Sequence, residues 1–202
     1  MKNIITIQHT ESIHHTNGMV GSWTDWDLSE LGVKQAHNIG KRLSKEIKDK
    51  DYIIYTSDLK RASQTAEIVS SYLDIKPIVR PELRERNLGS TAVGKPVTWM
   101  KDNALPFKFD IDHKCLVDAE SVREHWGRLL IVYNEIINSK DENIIIFSHG
   151  GTLSLFNAMW LKMKVEDLNS INIHGKAGGV SKFVENNEGI HFVKGISDMS
   201  YI

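Results

Sequence analysis

Asn143-Ile144-Ile145-Ile146-Phe147-Ser148-His149-Gly150-Gly151 is the stretch that decides the fold of this 202-residue chain. A short, continuous apolar run reads as a strand buried on both faces, the pattern of a parallel sheet covered by helices. It ends in polar Ser148-His149, and the Gly150-Gly151 pair opens a helix. Outward from it, Asn3 to Gln8 (NIITIQ) and Asp51 to Tyr55 (DYIIY) are two more strands, and Lys76 to Val79 is a weaker one.

Amphipathic helices fill the gaps. Behind Ser29 as N-cap, Ala36, Ile39, Leu43 and Ile47 recur at helical spacing. After Thr56-Ser57-Asp58 come Leu59, Ala62, Ala66, Val69 and Leu73. From Ser121 to Ile137 the face is Val122, Trp126, Leu129, Leu130, Tyr133 and Ile137. Gly179 to Val184 and Ile190 to Val193 alternate like a hairpin around Asn187 to Gly189. Strands alternating with helices predict an α/β fold: a three-layer α/β/α sandwich with a mostly parallel central sheet and antiparallel strands at one edge. No repeat or linker divides it, so residues 1–202 are expected to form one domain. Arg86 to Ala119 breaks the rhythm. It lacks a period and holds Pro96, Trp99, Pro106, Phe107 and Phe109, which predicts a lid-like insertion.

Lys plus Arg is 25 against 26 Asp plus Glu, a formal net charge of −1, which argues against a nucleic-acid binder. The single cysteine, Cys115, allows no intrachain disulfide and fits a reducing compartment. No apolar run approaches the ~20 residues of a membrane span. The first residues turn polar too soon for a signal peptide. A soluble, cytoplasmic protein with a small-molecule partner is the expectation.

In open α/β sheets ligands bind beyond the carboxyl ends of the strands. There the first strand delivers Gln8, His9, Thr10 and Glu11, and the second delivers Ser57, Asp58 and, one turn on, Arg61. Glu82 to Arg86 follow the third, and Ser148 to Gly151 the fourth. Two histidines, an arginine and a carboxylate thus converge on one edge. A neutral imidazole is a nucleophile toward phosphorus. An Arg fork, His149 and the backbone at Gly150 suit anionic oxygens. Glu85 is placed to protonate a leaving alkoxide.

The same residues carry a family resemblance. Gln8-His9-Thr10-Glu11-Ser12 is similar to the Arg-His-Gly-Glu-Thr hallmark of the histidine phosphatase superfamily, the phosphoglycerate mutase-like family. Asp25 to Gly32, Thr56 to Val69, Leu83 to Gly89, Ala119 to Ser121 and Ser148 to Gly151 resemble its further blocks in order. The resemblance implies that His9 accepts a phosphoryl group, that Arg61 and His149 hold it, and that Glu85 shuttles the proton. It implies a histidine-type phosphatase acting on a small phosphomonoester, with no metal or organic cofactor required.

Three departures stand out. Gln8 replaces the family's arginine, Thr10 its glycine, and His14-His15 a Trp-Asn pair whose Asn contacts phosphate. Gln8, Thr10 and His15 are therefore expected to line the phosphate site. A protonated His15 would make it sensitive to pH near 6–7. Loss of the arginine leaves open a non-catalytic or attenuated binding protein on the same fold. The histidine-rich loop leaves open a metal-dependent hydrolase, although adjacent histidines seldom point at one ion.

Overall fold

The computed structural model describes residues 1–47, 51–106 and 108–202. Six strands form one sheet: β1 (Lys2–Gln8), β2 (Ile53–Thr56), β3 (Ile78–Val79), β4 (Asn143–Ser148), β5 (Val180–Glu185) and β6 (His191–Asp198). Their order is β3-β2-β4-β1-β5-β6. The pairings β3/β2, β2/β4 and β4/β1 are parallel, whereas β5 runs antiparallel to β1, and β6 to β5. The expected mostly parallel sheet with an antiparallel edge is what forms.

Alternation along the strands sorts the core into two layers. Ile4, Tyr55, Ile144 and Ile146 face one side and pack on Leu129, Val132 and Ile136 of α4 (Val122–Asn138) and Phe156 of α5 (Gly150–Trp160). Ile5, Ile7, Ile54, Ile145 and Phe147 face the other side. There they meet Ile39 and Leu43 of α1 (Glu30–Glu46) and Ala66 and Val69 of α2 (Lys60–Ser71). α5 is buried almost all round, which is why its sequence shows little polar face. Among the described residues no helix is long and apolar enough to cross a membrane.

The helix starts are set by local chemistry. Ser29 Oγ accepts from the Gly32 N–H at 3.0 Å and donates to Glu11 Oε1 at 2.6 Å. The start of α1 is thereby fastened to the loop after β1. Ser121 and Glu124 form a reciprocal capping box at α4. Gly32 is required for closeness: a Cβ there would overlap the Glu11 carbonyl.

The 86–119 segment is more regular than its sequence suggests. It contains a helix, α3 (Val97–Asn103), and a 3-10 turn at Ser90–Ala92. Its α3 carries no buried residue, so no apolar period marked it. Phe107 lies outside the described residues. The segment is tied to the loop after β1: Val97 N–H donates to Gly18 O at 2.8 Å, and Val20 N–H to Lys95 O at 2.9 Å.

Two glycines give opposite expectations. Gly32→Ala should lower unfolding free energy by about 1–3 kcal/mol, because backbone must move to admit the methyl. Gly127 is exposed in α4, with open space where an alanine methyl would stand. Its change to Ala should gain about 0.5–1 kcal/mol from helix propensity. Urea unfolding of both variants at neutral pH checks the pair.

Candidate active site

β1 and β4 end on the same rung, Gln8 opposite Ser148. The next residue of each strand is a histidine. The His9 N–H donates to Ser148 O at 2.9 Å, and the two imidazole centroids lie 5.2 Å apart. On the far side of β4, the Ser57 N–H donates to Phe147 O at 3.1 Å. Its hydroxyl is 2.9 Å from His149 Nε2. Arg61, in the first turn of α2, reaches His9 from behind, its Nε 3.3 Å from His9 Nε2.

Both histidines are essentially buried, at 3% and 0% exposure, and both are held well below the ordinary imidazole pKa. Burial is the first cause and the Arg61 charge the next. They are neutral at physiological pH. His9 Nδ1 lies 2.8 Å from the Thr10 carbonyl, which only accepts, so Nδ1 carries the proton and Nε2 keeps its lone pair. His149 Nδ1 is buried without a hydrogen-bond partner among the described residues.

Arg61 is 1% exposed and, among the described residues, has no carboxylate within ion-pair distance. Its Nη1 donates to Thr24 O at 3.0 Å and its Nη2 to Ser22 O at 2.7 Å. Burial lowers its pKa to about 10, so it stays cationic at neutral pH. Ser22 holds its carbonyl there at φ 43°, a left-handed conformation uncommon for a non-glycine residue.

Glu85 sits at the start of α5. Its Oε2 accepts from the Gly151 N–H at 2.9 Å and its Oε1 from the Arg86 N–H at 2.7 Å. A Cβ on Gly151 would collide with that carboxylate, which accounts for the second glycine. The neighbouring Gly150 N–H is one of those an α-helix leaves without an intrahelical partner.

The remaining predicted residues divide. Gln8 lies against Gly150, whose added Cβ would be 3.1 Å from Gln8 Nε2, and its side chain makes no hydrogen bond among the described residues. His15 stacks on His9 at 5.4 Å and 13°. Its pKa is lowered by burial and by Arg61, which favours the neutral ring. His14, beside it, is pushed down to about 3, burial first. Thr10 is engaged elsewhere through its own groups. Its N–H donates to Thr65 Oγ1 at 3.2 Å and its hydroxyl pairs with the same oxygen at 3.3 Å, so the site receives only its carbonyl, through His9. Among the described residues no group of three or more His, Cys, Asp or Glu is arranged to hold a metal.

Sequence reasoning missed a supporting layer. Arg128 Nη1 donates to Glu82 O and its Nη2 to Glu85 O, while Glu120 holds its fork on two edges. Trp23 Nε1 donates to Glu85 O at 2.7 Å. His125, 2% exposed, donates from Nε2 to Thr152 Oγ1 at 3.0 Å, and that hydroxyl donates to Arg84 O. Arg128 looks like an ordinary helix charge, and His125 falls on the apolar face; neither has a sequence signal of its own. A cavity of about 620 Å³ opens beside Glu85 and Gly151, walled by the 86–119 insertion, α4 and α5.

Residues 4–195 match the family model described as the histidine phosphatase superfamily (branch 1). A protein of Hydrogenobacter thermophilus named "Putative phosphoserine phosphatase 2" is 29% identical over 186 residues, 90% of this chain and 89% of that one. A mycobacterial glucosyl-3-phosphoglycerate phosphatase solved with inorganic phosphate has a TM-score of 0.80 at 21% identity, covering 100% of both chains. A mutant phosphoserine phosphatase of Entamoeba histolytica solved with phosphoserine has a TM-score of 0.76 at 20% identity, also covering 100% of both.

The neutral buried imidazoles fix a sign for pH dependence. Unfolded His125 takes up a proton below about 6.5, and folded His125 only near 3. The stability linked to it is complete above 6.5 and is withdrawn as pH falls through that window. Urea unfolding between pH 7 and 5 should show wild type losing stability more steeply than His125→Gln, by about 1 kcal/mol per pH unit.

Proposed function

The chain belongs to the histidine phosphatase superfamily and is a phosphatase of it, and from that premise we propose that it hydrolyses small phosphomonoesters through a phosphohistidine on His9. The observation that carries this reading is the fixed tautomer of His9. Nδ1–H donates to the Thr10 carbonyl, so Nε2 is the buried, unprotonated nitrogen, and its lone pair accepts from Arg61 Nε–H until a phosphoryl group takes that place.

Nε2 attacks phosphorus and forms the P–N bond while the P–O ester bond breaks. Glu85, protonated, gives its proton to the departing alcohol oxygen. Its ionised carboxylate then takes a proton from the water that cleaves the P–N bond. Inorganic phosphate leaves and both groups are restored. Arg61, His149 and the Gly150 N–H stabilise the equatorial oxygens, where charge is spread in the transition state. His149 suits a neutral donor: with the Ser57 hydroxyl donating a hydrogen bond to Nε2, the unpartnered Nδ1 carries N–H. Gln8 and His15 line the same cradle. Residues 86–119 act as a lid that selects the alcohol, and the lone Cys115 suits a cytoplasmic setting.

His9→Ala should abolish turnover with the fold intact. Glu85→Gln should cost about 10²–10⁴ in rate on an alkyl phosphate and much less on an activated aryl phosphate, whose leaving group needs little protonation. Rates of both variants on the two substrate classes decide it. Equal losses for Glu85→Gln on both classes reject it as the acid.

One observation favours an attenuated phosphatase as the second reading. Gln8 brings a neutral amide where the family carries a second guanidinium. A charge-assisted hydrogen bond is worth about 1.5–3 kcal/mol against about 0.5–1.5 for a neutral one. Gln8→Arg, alone and with His15→Asn, should tighten inorganic phosphate binding about tenfold. Titration calorimetry measures it, and unchanged affinity in both variants removes attenuation at this position.

A further inference from the structure

We propose that His125 is a positioning residue for the general acid. Through the Thr152 hydroxyl and the Arg84 carbonyl it holds Glu85 in place at the start of α5 while Glu85 carries its proton. The proposal rests on the phosphatase reading and concerns only the leaving-group half of that reaction.

The direction of every bond in this chain is fixed. The Arg84 carbonyl only accepts, so Thr152 places its one hydroxyl proton there, at 2.7 Å. Thr152 Oγ1 then accepts from the His125 ring, at 3.0 Å, which puts the imidazole proton on Nε2. His125 is 2% exposed, and burial, the largest influence, brings its pKa down to about 3. Glu85 opposes that shift, while Arg128 and Arg86 add to it. The ring is neutral at physiological pH and keeps its single N–H on Thr152. A threonine hydroxyl inside a helix ordinarily turns back to the carbonyl four residues before it. With the ring occupying its acceptor side, the Thr152 hydroxyl stays turned to Arg84 instead.

Among the described residues, two hydrogen bonds join residues 84–86 to α5. One runs from the Gly151 N–H to Glu85 Oε2 at 2.9 Å, the other from Thr152 to the Arg84 carbonyl. The first is made by the group that reacts. As a carboxylate, Glu85 accepts through both oxygens, from Gly151 and from Arg86. Protonation turns one oxygen into a donor for the departing alcohol and weakens the N–H bond to it. The Thr152 bond is untouched by that change and keeps the segment registered on α5 when the proton is needed. Arg128 also holds this backbone, through the carbonyls of Glu82, Arg84 and Glu85, and Trp23 holds the Glu85 carbonyl. They reach it from α4 and from the loop after β1, so neither sets its distance from α5. A reacting group displaced by about 1 Å can lose on the order of a hundredfold in rate.

A pair of esters separates positioning of the acid from general support of the fold. Benzyl phosphate releases an alkoxide that needs a proton, whereas 4-nitrophenyl phosphate releases one that needs little. The measured quantity is kcat/KM, which reports the step that breaks the ester bond. His125→Leu and Thr152→Val cut the chain; His125→Gln and Thr152→Ser keep an N–H or a hydroxyl in it. The first two should lose about tenfold to a hundredfold on benzyl phosphate and no more than about threefold on 4-nitrophenyl phosphate. The second two should stay within about threefold of wild type on both. Placed in Glu85→Gln, His125→Leu should add no more than about twofold on benzyl phosphate, because the group it positions is gone. Melting temperatures establish that the variants are folded, and if His125→Leu is not, Thr152→Val carries the same comparisons. Equal losses on the two esters overturn the proposal, as does no loss on benzyl phosphate. So does a loss in His125→Gln as large as in His125→Leu, or a loss that persists in full in Glu85→Gln. If wild type hydrolyses neither ester, the phosphatase reading fails first and carries this proposal with it.

Discussion

The rest of the site depends on one register. β1 and β4 run parallel with Gln8 opposite Ser148, and both stop there. A slip of one residue would turn every side chain of β1 to the opposite face, exchanging Ile4 with Ile5 between the two cores. The apolar content of both strands therefore fixes the pairing of two polar residues that contribute little to the core. The energy that places His9 beside His149 comes from the isoleucines, several residues before the chemistry begins.

Arg61 shows how a charge is kept inside with no carboxylate in contact among the described residues. A buried unpaired guanidinium is unfavourable, and the protein answers with dipoles instead of a carboxylate. Two carbonyls of the 22–24 loop take its Nη groups, and Ser22 adopts a left-handed conformation to present one of them. A carboxylate partner would have neutralised the charge that a phosphoryl group needs. Carbonyls orient the fork and leave its net charge in place, while its Nε–H donates to a neutral imidazole.

Much of this is legible in the sequence, and for physical reasons. The isoleucine runs of β1 and β4 and the periodic faces of α1, α2 and α4 report burial directly, so sheet, layers and strand ends can be read. Residues at those ends, His9, Arg61 and His149, come with them. What cannot be read is whatever depends on long-range polar geometry. Thr10 stands in the hallmark block, yet its hydroxyl turns to Thr65, a residue 55 positions away. Arg128 and Trp23 grip the backbone of Glu85, and a backbone carbonyl leaves no trace in a sequence. Helix α3 escapes because it buries nothing. The lowering of the His15 pKa has a related origin: burial and the nearby Arg61 cation are properties of the fold, not of the loop.

The stitching of the 86–119 insertion to the loop after β1 bears on how such a protein diversifies. Backbone hydrogen bonds join Val97 to Gly18 and Val20 to Lys95, and Gly94 donates to the Thr24 hydroxyl. The same loop carries His14, His15 and the carbonyls that hold Arg61. The wall of the cavity and the loop that orients Arg61 are therefore joined by one set of hydrogen bonds. A change of backbone path in one segment would break the hydrogen bonds that hold the other. The natural boundary of a transplant is the pair of segments 13–24 and 86–119 together, and drift in either is constrained by the seam between them.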